Sequence, residues 1–104
     1  MQDVSKAFKA LANTNRLAIF EYLRSAGQVT VDGDEDPCCN VGAIAEQFDL
    51  ALSTVSHRLS VLHDAHLISC EQRGQFTYCV VDWEAVEQLR LFLGDEVTSQ
   101  RETQ

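Results

Sequence analysis

The chain has 104 residues, 45% of them hydrophobic and 23% charged, the make-up of one ordinary folded domain. Its net charge of −8, taken alone, weighs against nucleic acid, whose binders usually carry a basic surplus. Uncharged stretches fall far short of the roughly 20 residues a membrane helix needs, and Met1–Lys9 has no basic segment followed by an apolar core, so a cytoplasmic protein with no membrane partner is expected.

Val4, Ala7, Phe8 and Leu11 fall at the i, i+3, i+4, i+7 spacing of a short amphipathic helix. A second helix is expected after the polar cluster Asn13-Thr14-Asn15, running through Arg16–Arg24 and stopping near Gly27. Gln28–Val31 is short and β-prone, which predicts a small strand, and Asp32–Pro37 reads as a solvated acidic loop. Val41, Ile44, Ala45 and Phe48 repeat the helical spacing for a third helix. After a short turn from Asp49 to Leu52, Ser53 is the candidate N-cap of a fourth helix whose inner side is Val55, Leu59 and Leu62. Two strand-like runs, Ile68–Arg73 and Phe76–Val81, flank Gly74-Gln75 and predict a hairpin with Cys70 opposite Cys79. Asp82 can cap a last helix carrying Trp83, Val86, Leu89, Phe92 and Leu93. The reading is therefore one mostly α domain with a small β-hairpin (α+β) over 1–97, about five helices plus the hairpin, followed by a disordered polar tail at 98–104.

Two short helices joined by a tight turn and followed by a hairpin have the layout of a winged helix-turn-helix. A helix that enters the major groove buries one face on its own domain and shows the DNA a small, polar, non-acidic face. The fourth helix fits: Ser53, Thr54, Ser56, His57, Arg58 and Ser60 line its outer side, and no acid appears before Asp64. The acidic excess lies elsewhere, with half of it from Asp82 onward and much of the rest in the run Asp32, Asp34, Glu35, Asp36. Nucleotide loops, paired catalytic carboxylates and nucleophile triads have no counterpart here, so an enzyme is not expected.

The stretches Phe8–Ile19 (FKALANTNRLAI), Ser53–Leu62 (STVSHRLSVL), Leu67-Ile68 and Arg73-Gly74-Gln75 with Tyr78 resemble the ArsR/SmtB family of arsenic- and metal-responsive repressors, over about residues 4–93. The resemblance implies a dimeric winged helix-turn-helix that binds a palindromic operator in double-stranded DNA. It implies DNA contacts from Ser53, Thr54, Ser56, His57, Arg58 and Ser60 and from the wing at Arg73, Gly74 and Gln75. It also implies dimerisation through the first and last helices, with Val4, Phe8, Leu89, Phe92 and Leu93 as the candidate seam. One departure is His66, where the family usually has a glycine ending the recognition helix; a left-handed residue is expected there, and histidine adopts that conformation more readily than most.

The ligand has to be argued from this chain's own residues. Cys38-Cys39, at the entrance to the third helix, lies close to where arsenic sensors of the family carry a short cysteine motif, although here the two are adjacent. Trivalent arsenic or antimony prefers three sulfurs, and a helix N-terminus favours the thiolate that binds. The expected inducer is thus As(III) or Sb(III) on Cys38 and Cys39, with Cys70 or Cys79 as candidate third ligand, and no permanent cofactor. Two alternatives stay open: a thiol redox sensor using Cys70/Cys79 or Cys38/Cys39, and a protein-interaction module with this fold that does not bind DNA.

Overall fold

The computed structural model describes residues 4–29 and 40–94. They form α1 (Val4–Leu11), α2 (Thr14–Val29), α3 (Val41–Phe48), α4 (Leu52–Asp64), β1 (Ile68–Arg73), β2 (Phe76–Val81) and α5 (Trp83–Leu93). The order is the one expected from the sequence, a winged helix-turn-helix with five helices and a two-stranded wing.

The core gathers one side of each element. Ile19, Phe20 and Leu23 of α2, Ile44 and Ala45 of α3, and Val55, Leu59 and Leu62 of α4 all belong to it. Leu67, Ile68, Cys79 and Val81 close it from the hairpin side. In α1 the fully buried residues are the small ones, Ala7 and Ala10, whereas Val4, Phe8 and Leu11 are only half-buried. The helix thus packs closely through its alanines and leaves its larger apolar side chains toward the outside. Arg16 ties α1 down: its Nε donates to the carbonyl of Ala10 at 2.7 Å and its Nη2 to that of Lys9 at 3.5 Å, so a guanidinium satisfies carbonyls at a helix C-terminus.

Two local expectations are corrected. The second helix does not stop near Gly27 but continues to Val29, so Gln28 and Val29 are helical and do not begin a strand. Its start is capped by Asn13, whose Oδ1 accepts from the backbone N–H groups of Asn15 and Arg16, each at 3.0 Å. One glycine costs a helix only about 1 kcal/mol, too little by itself to end a helix of sixteen residues. The second correction concerns Ser53. The N-cap of α4 is Ala51, which makes no side-chain cap bond, and Ser53 lies inside the first turn.

The turn that ends α3 decides this. Asp49 adopts φ 55°, its N–H donates to the carbonyl of Glu46 and the N–H of Leu50 to that of Ala45. That pair of bonds is a Schellman closure, which reverses the chain within two residues and brings α4 in early. α4 ends the same way. His66 stands at φ 65°, its N–H donates to His63 and that of Leu67 to Leu62. The left-handed histidine expected from the sequence is therefore present.

The hairpin has the predicted register, with Cys70 opposite Cys79 and Arg73 opposite Phe76. Gly74 sits at φ 61° at the first position of the two-residue turn, where a side chain would be strained. Asn40 caps α3, its Oδ1 accepting from the N–H of Ala43, and forms an isolated bridge with Tyr78. Asp82 caps α5 as expected, accepting from the N–H groups of Glu84 and Ala85. Among the described residues no helix is long and apolar enough to cross a membrane.

Candidate nucleic-acid interface

α4 is anchored by Val55, Leu59 and Leu62, each no more than 4% exposed. With that face fixed, helical geometry dictates the other: Ser53, Ser56, His57 and Ser60 are exposed and fall at i, i+3, i+4 and i+7, a single outward stripe. Thr54 and Arg58, one turn apart, are half-buried on its flank. Four short polar groups thus stand on a rigid element, backed by a packed core. Hydroxyls and an imidazole can donate to phosphate oxygens or base edges, and none of these groups repels a phosphate. Arg58 has no hydrogen-bond or ion-pair partner among the described residues, so its guanidinium is available to a base edge or phosphate.

The wing presents the other cation differently. Arg73 donates to Oε1 of Glu71 from Nε at 3.3 Å and from Nη2 at 3.2 Å, and its guanidinium lies 5.6 Å from the centre of the Tyr78 ring. Both partners are exposed, so the pair is worth little and can exchange for a phosphate. Of the expected wing contacts Arg73, Gly74 and Gln75, the arginine therefore comes with an internal acid, Glu71. Glu71 follows from strand alternation, which puts residues 71 and 73 on one face.

The candidate dimer residues also adjoin. The rings of Phe8 in α1 and Phe92 in α5 lie 5.8 Å apart, tilted at 55°. Around them α5 leaves Phe92 66% and Leu93 58% exposed, and Leu91, absent from the sequence reading, is 48% exposed. Val4 and Leu89 are half-buried. α5 thus leaves three large apolar side chains in a row, Leu91, Phe92 and Leu93, about half or more exposed.

The thiols divide. Cys38 and Cys39 lie outside the described residues. Asn40, which follows them directly, is bridged to Tyr78, the residue before Cys79. Cys79 is buried and Cys70 exposed, both in the thiol form, with their sulfurs 2.7 Å apart. Among the described residues no three His, Cys, Asp or Glu side chains converge as a metal-ligand set.

Comparison with known proteins agrees with this geometry. A helix-turn-helix domain family model matches residues 11–71. The HTH-type transcriptional regulator YbzH of Bacillus subtilis is 34% identical over 88% of this chain and 96% of its own. The arsenical resistance operon repressor of the same organism is 32% identical over 86% of this chain and 75% of its own. Among solved structures, the homodimeric winged helix-turn-helix DNA-binding domain Mb0332 of Mycobacterium bovis superposes with a TM-score of 0.64 at 25% identity, covering 96% of this chain and 81% of that one.

Proposed function

The chain belongs to the ArsR/SmtB family of winged helix-turn-helix transcriptional regulators, and on that footing we propose that it is a homodimeric repressor that leaves its operator when a thiophilic ion binds. The observation that carries the DNA part is the acid-free polar stripe Ser53, Ser56, His57, Ser60 on α4, flanked by Arg58 and followed by a wing bearing Arg73. A two-fold dimer built on the α1–α5 face supplies two such helices about one DNA turn (~34 Å) apart, and therefore reads a palindrome.

The inducer in this reading is trivalent arsenic or antimony on Cys38 and Cys39, completed by a sulfur from Cys70, Cys79 or a small thiol. Three things support it: the soft donor set, the bridge that ties Asn40 to the residue next to Cys79, and the likeness to an arsenical resistance operon repressor. Asn40 is also the cap of α3, so a load on the residues beside it acts on the helix that supports α4. The ion must favour the DNA-incompetent state by a few kcal/mol to empty the operator.

The test is to select a duplex from a random pool and titrate the complex with arsenite, comparing wild type with Cys38→Ser/Cys39→Ser. Release of the wild type with retention of the double mutant supports the reading. Equal release at equal arsenite removes the vicinal pair as the sensor, and failure to enrich any duplex removes DNA binding.

A further inference from the structure

The hairpin holds a second pair of thiols, Cys70 and Cys79, of which the proposed ion site would draw on at most one. Residues directly opposite one another in an antiparallel pair have Cα atoms about 4.5–5.5 Å apart, inside the window of about 4.4–6.8 Å that a disulfide spans. Cys70 and Cys79 occupy such a position, and their sulfurs are already in contact at 2.7 Å. The two differ in access. Cys70 is exposed, whereas Cys79 is 1% exposed. Beside them a cavity of about 310 Å³ opens between the hairpin and α4, with Ser56, Ser60 and His63 on its helix side and Thr77 on its strand side.

From this arrangement we infer that Cys70 and Cys79 are a peroxide-reactive dithiol, Cys70 the attacking and Cys79 the resolving thiol, whose closure to a disulfide acts on the groove between reading helix and wing. In the first step the Cys70 thiolate attacks one oxygen of a hydroperoxide. The O–O bond breaks, Cys70 becomes a sulfenic acid, and the alkoxide takes a proton and departs as an alcohol or water. In the second, the Cys79 sulfur attacks the sulfenic sulfur, the S–S bond forms, and hydroxide leaves with the Cys79 proton as water. Two electrons and two hydrogens pass from the thiols to the peroxide, and a small thiol returns them by exchange.

Attack requires the sulfur that solvent reaches, and of the two that is Cys70. The cavity gives a small peroxide a way in, and its far wall is α4 itself. A covalent link replacing the thiol contact stiffens the strand pair on the cavity wall that faces Ser56 and Ser60.

The experiment uses the full chain with Cys38→Ser/Cys39→Ser, so that only the hairpin thiols remain. Hydrogen peroxide is expected to lower the thiol count from two to none, with a mass loss of two hydrogens in the monomeric chain on a non-reducing gel. Cys70→Ser added to this background abolishes the reaction. Cys79→Ala instead leaves a sulfenic acid at residue 70 that dimedone labels, a readout that also shows the protein is folded enough to react. The oxidised background protein should bind the selected duplex at least several-fold differently from the reduced one, with recovery in dithiothreitol. Links only between chains, dimedone at residue 79 in the Cys70→Ser protein, or unreacted thiols would overturn the proposal. Equal affinity of the two forms would overturn its regulatory half. Failure of the reduced protein to bind any duplex strikes the repressor reading instead and leaves the thiol result standing.

Discussion

Replacing the two left-handed helix ends should stabilise the protein, and by amounts that separate two physical causes. Asp49 and His66 hold φ of 55° and 65° where α3 and α4 close, positions that glycine fills at least steric cost. A left-handed residue with a Cβ costs roughly 1–2 kcal/mol, and glycine returns about 0.4–1 of that through the freer unfolded chain. His66→Gly should therefore gain about 0.5–1 kcal/mol. The His66 side chain is exposed and has no hydrogen bond among the described residues, so little is lost with it. Asp49 adds a charge term, because a carboxylate beside a helix C-terminus opposes the helix dipole by about 0.3–1 kcal/mol. Asp49→Asn removes that charge while keeping a side chain that tolerates the left-handed region, and isolates the charge term. Asp49→Gly should gain both, about 0.8–2 kcal/mol. The two sites are separated by α4, thirteen residues or about 20 Å, so the gains should add. Urea unfolding at one fixed protein concentration reads the result as a higher midpoint with unchanged slope, and each kcal/mol raises Tm by about 4–8 °C. A neutral or destabilised His66→Gly would refute the strain argument, and Asp49→Asn without effect would refute the dipole part.

Other outcomes follow from the same structure. Arg58→Ala should weaken binding to the selected duplex by about 1–3 kcal/mol, measured by fluorescence anisotropy, if its guanidinium makes a bidentate base contact; unchanged affinity and salt slope would exclude it from the interface. Glu71→Gln should release Arg73 to the DNA backbone, tightening binding and steepening the salt slope by about one unit. Phe92→Ser/Leu93→Ser should remove about 1.5–3 kcal/mol per buried side chain from the dimer seam, twice over by symmetry, and give a monomer in sedimentation at micromolar concentration. Arg16→Ala should cost about 1.5–3 kcal/mol in urea unfolding, because the carbonyls of Lys9 and Ala10 lose a charged donor.

Elements whose signal is local were legible in the sequence. The i, i+3, i+4, i+7 stripe of α3 and the inner side of α4 are fixed by side-chain periodicity alone. A two-residue turn at Gly74-Gln75 determines every cross-strand pair, including Cys70 with Cys79. What escaped depends on the backbone or on distant partners. Ser53 looks like a cap because it precedes an apolar run, but the left-handed turn at Asp49 starts α4 two residues earlier, at Leu52. Gly27 looks like a stop, but the cost of one glycine is too small to end α2, which runs on to Val29. Nothing local in Arg16 says that it reaches back to carbonyls six and seven residues earlier.

The shift at Ser53 bears on function as well as on boundaries. A capping serine spends its hydroxyl on a backbone N–H of its own helix, whereas Ser53 inside the first turn keeps its hydroxyl on the exposed stripe with Ser56, His57 and Ser60. The early start thus adds a polar group to the face proposed to read DNA. The same view resolves the net charge of −8, which is the wrong quantity for judging a DNA partner. Salt screens exposed charges beyond about 8–10 Å, so only acids near the contacted phosphates count. On α4 the first acid is Asp64, its last residue, and on the wing Glu71 is matched by Arg73. Local neutrality of this kind makes contact with DNA possible without a large electrostatic term. In the proposed dimeric repressor, affinity would then come from fitted contacts along two helices held in register, and a device that shifts those helices by a small amount would be enough to end it.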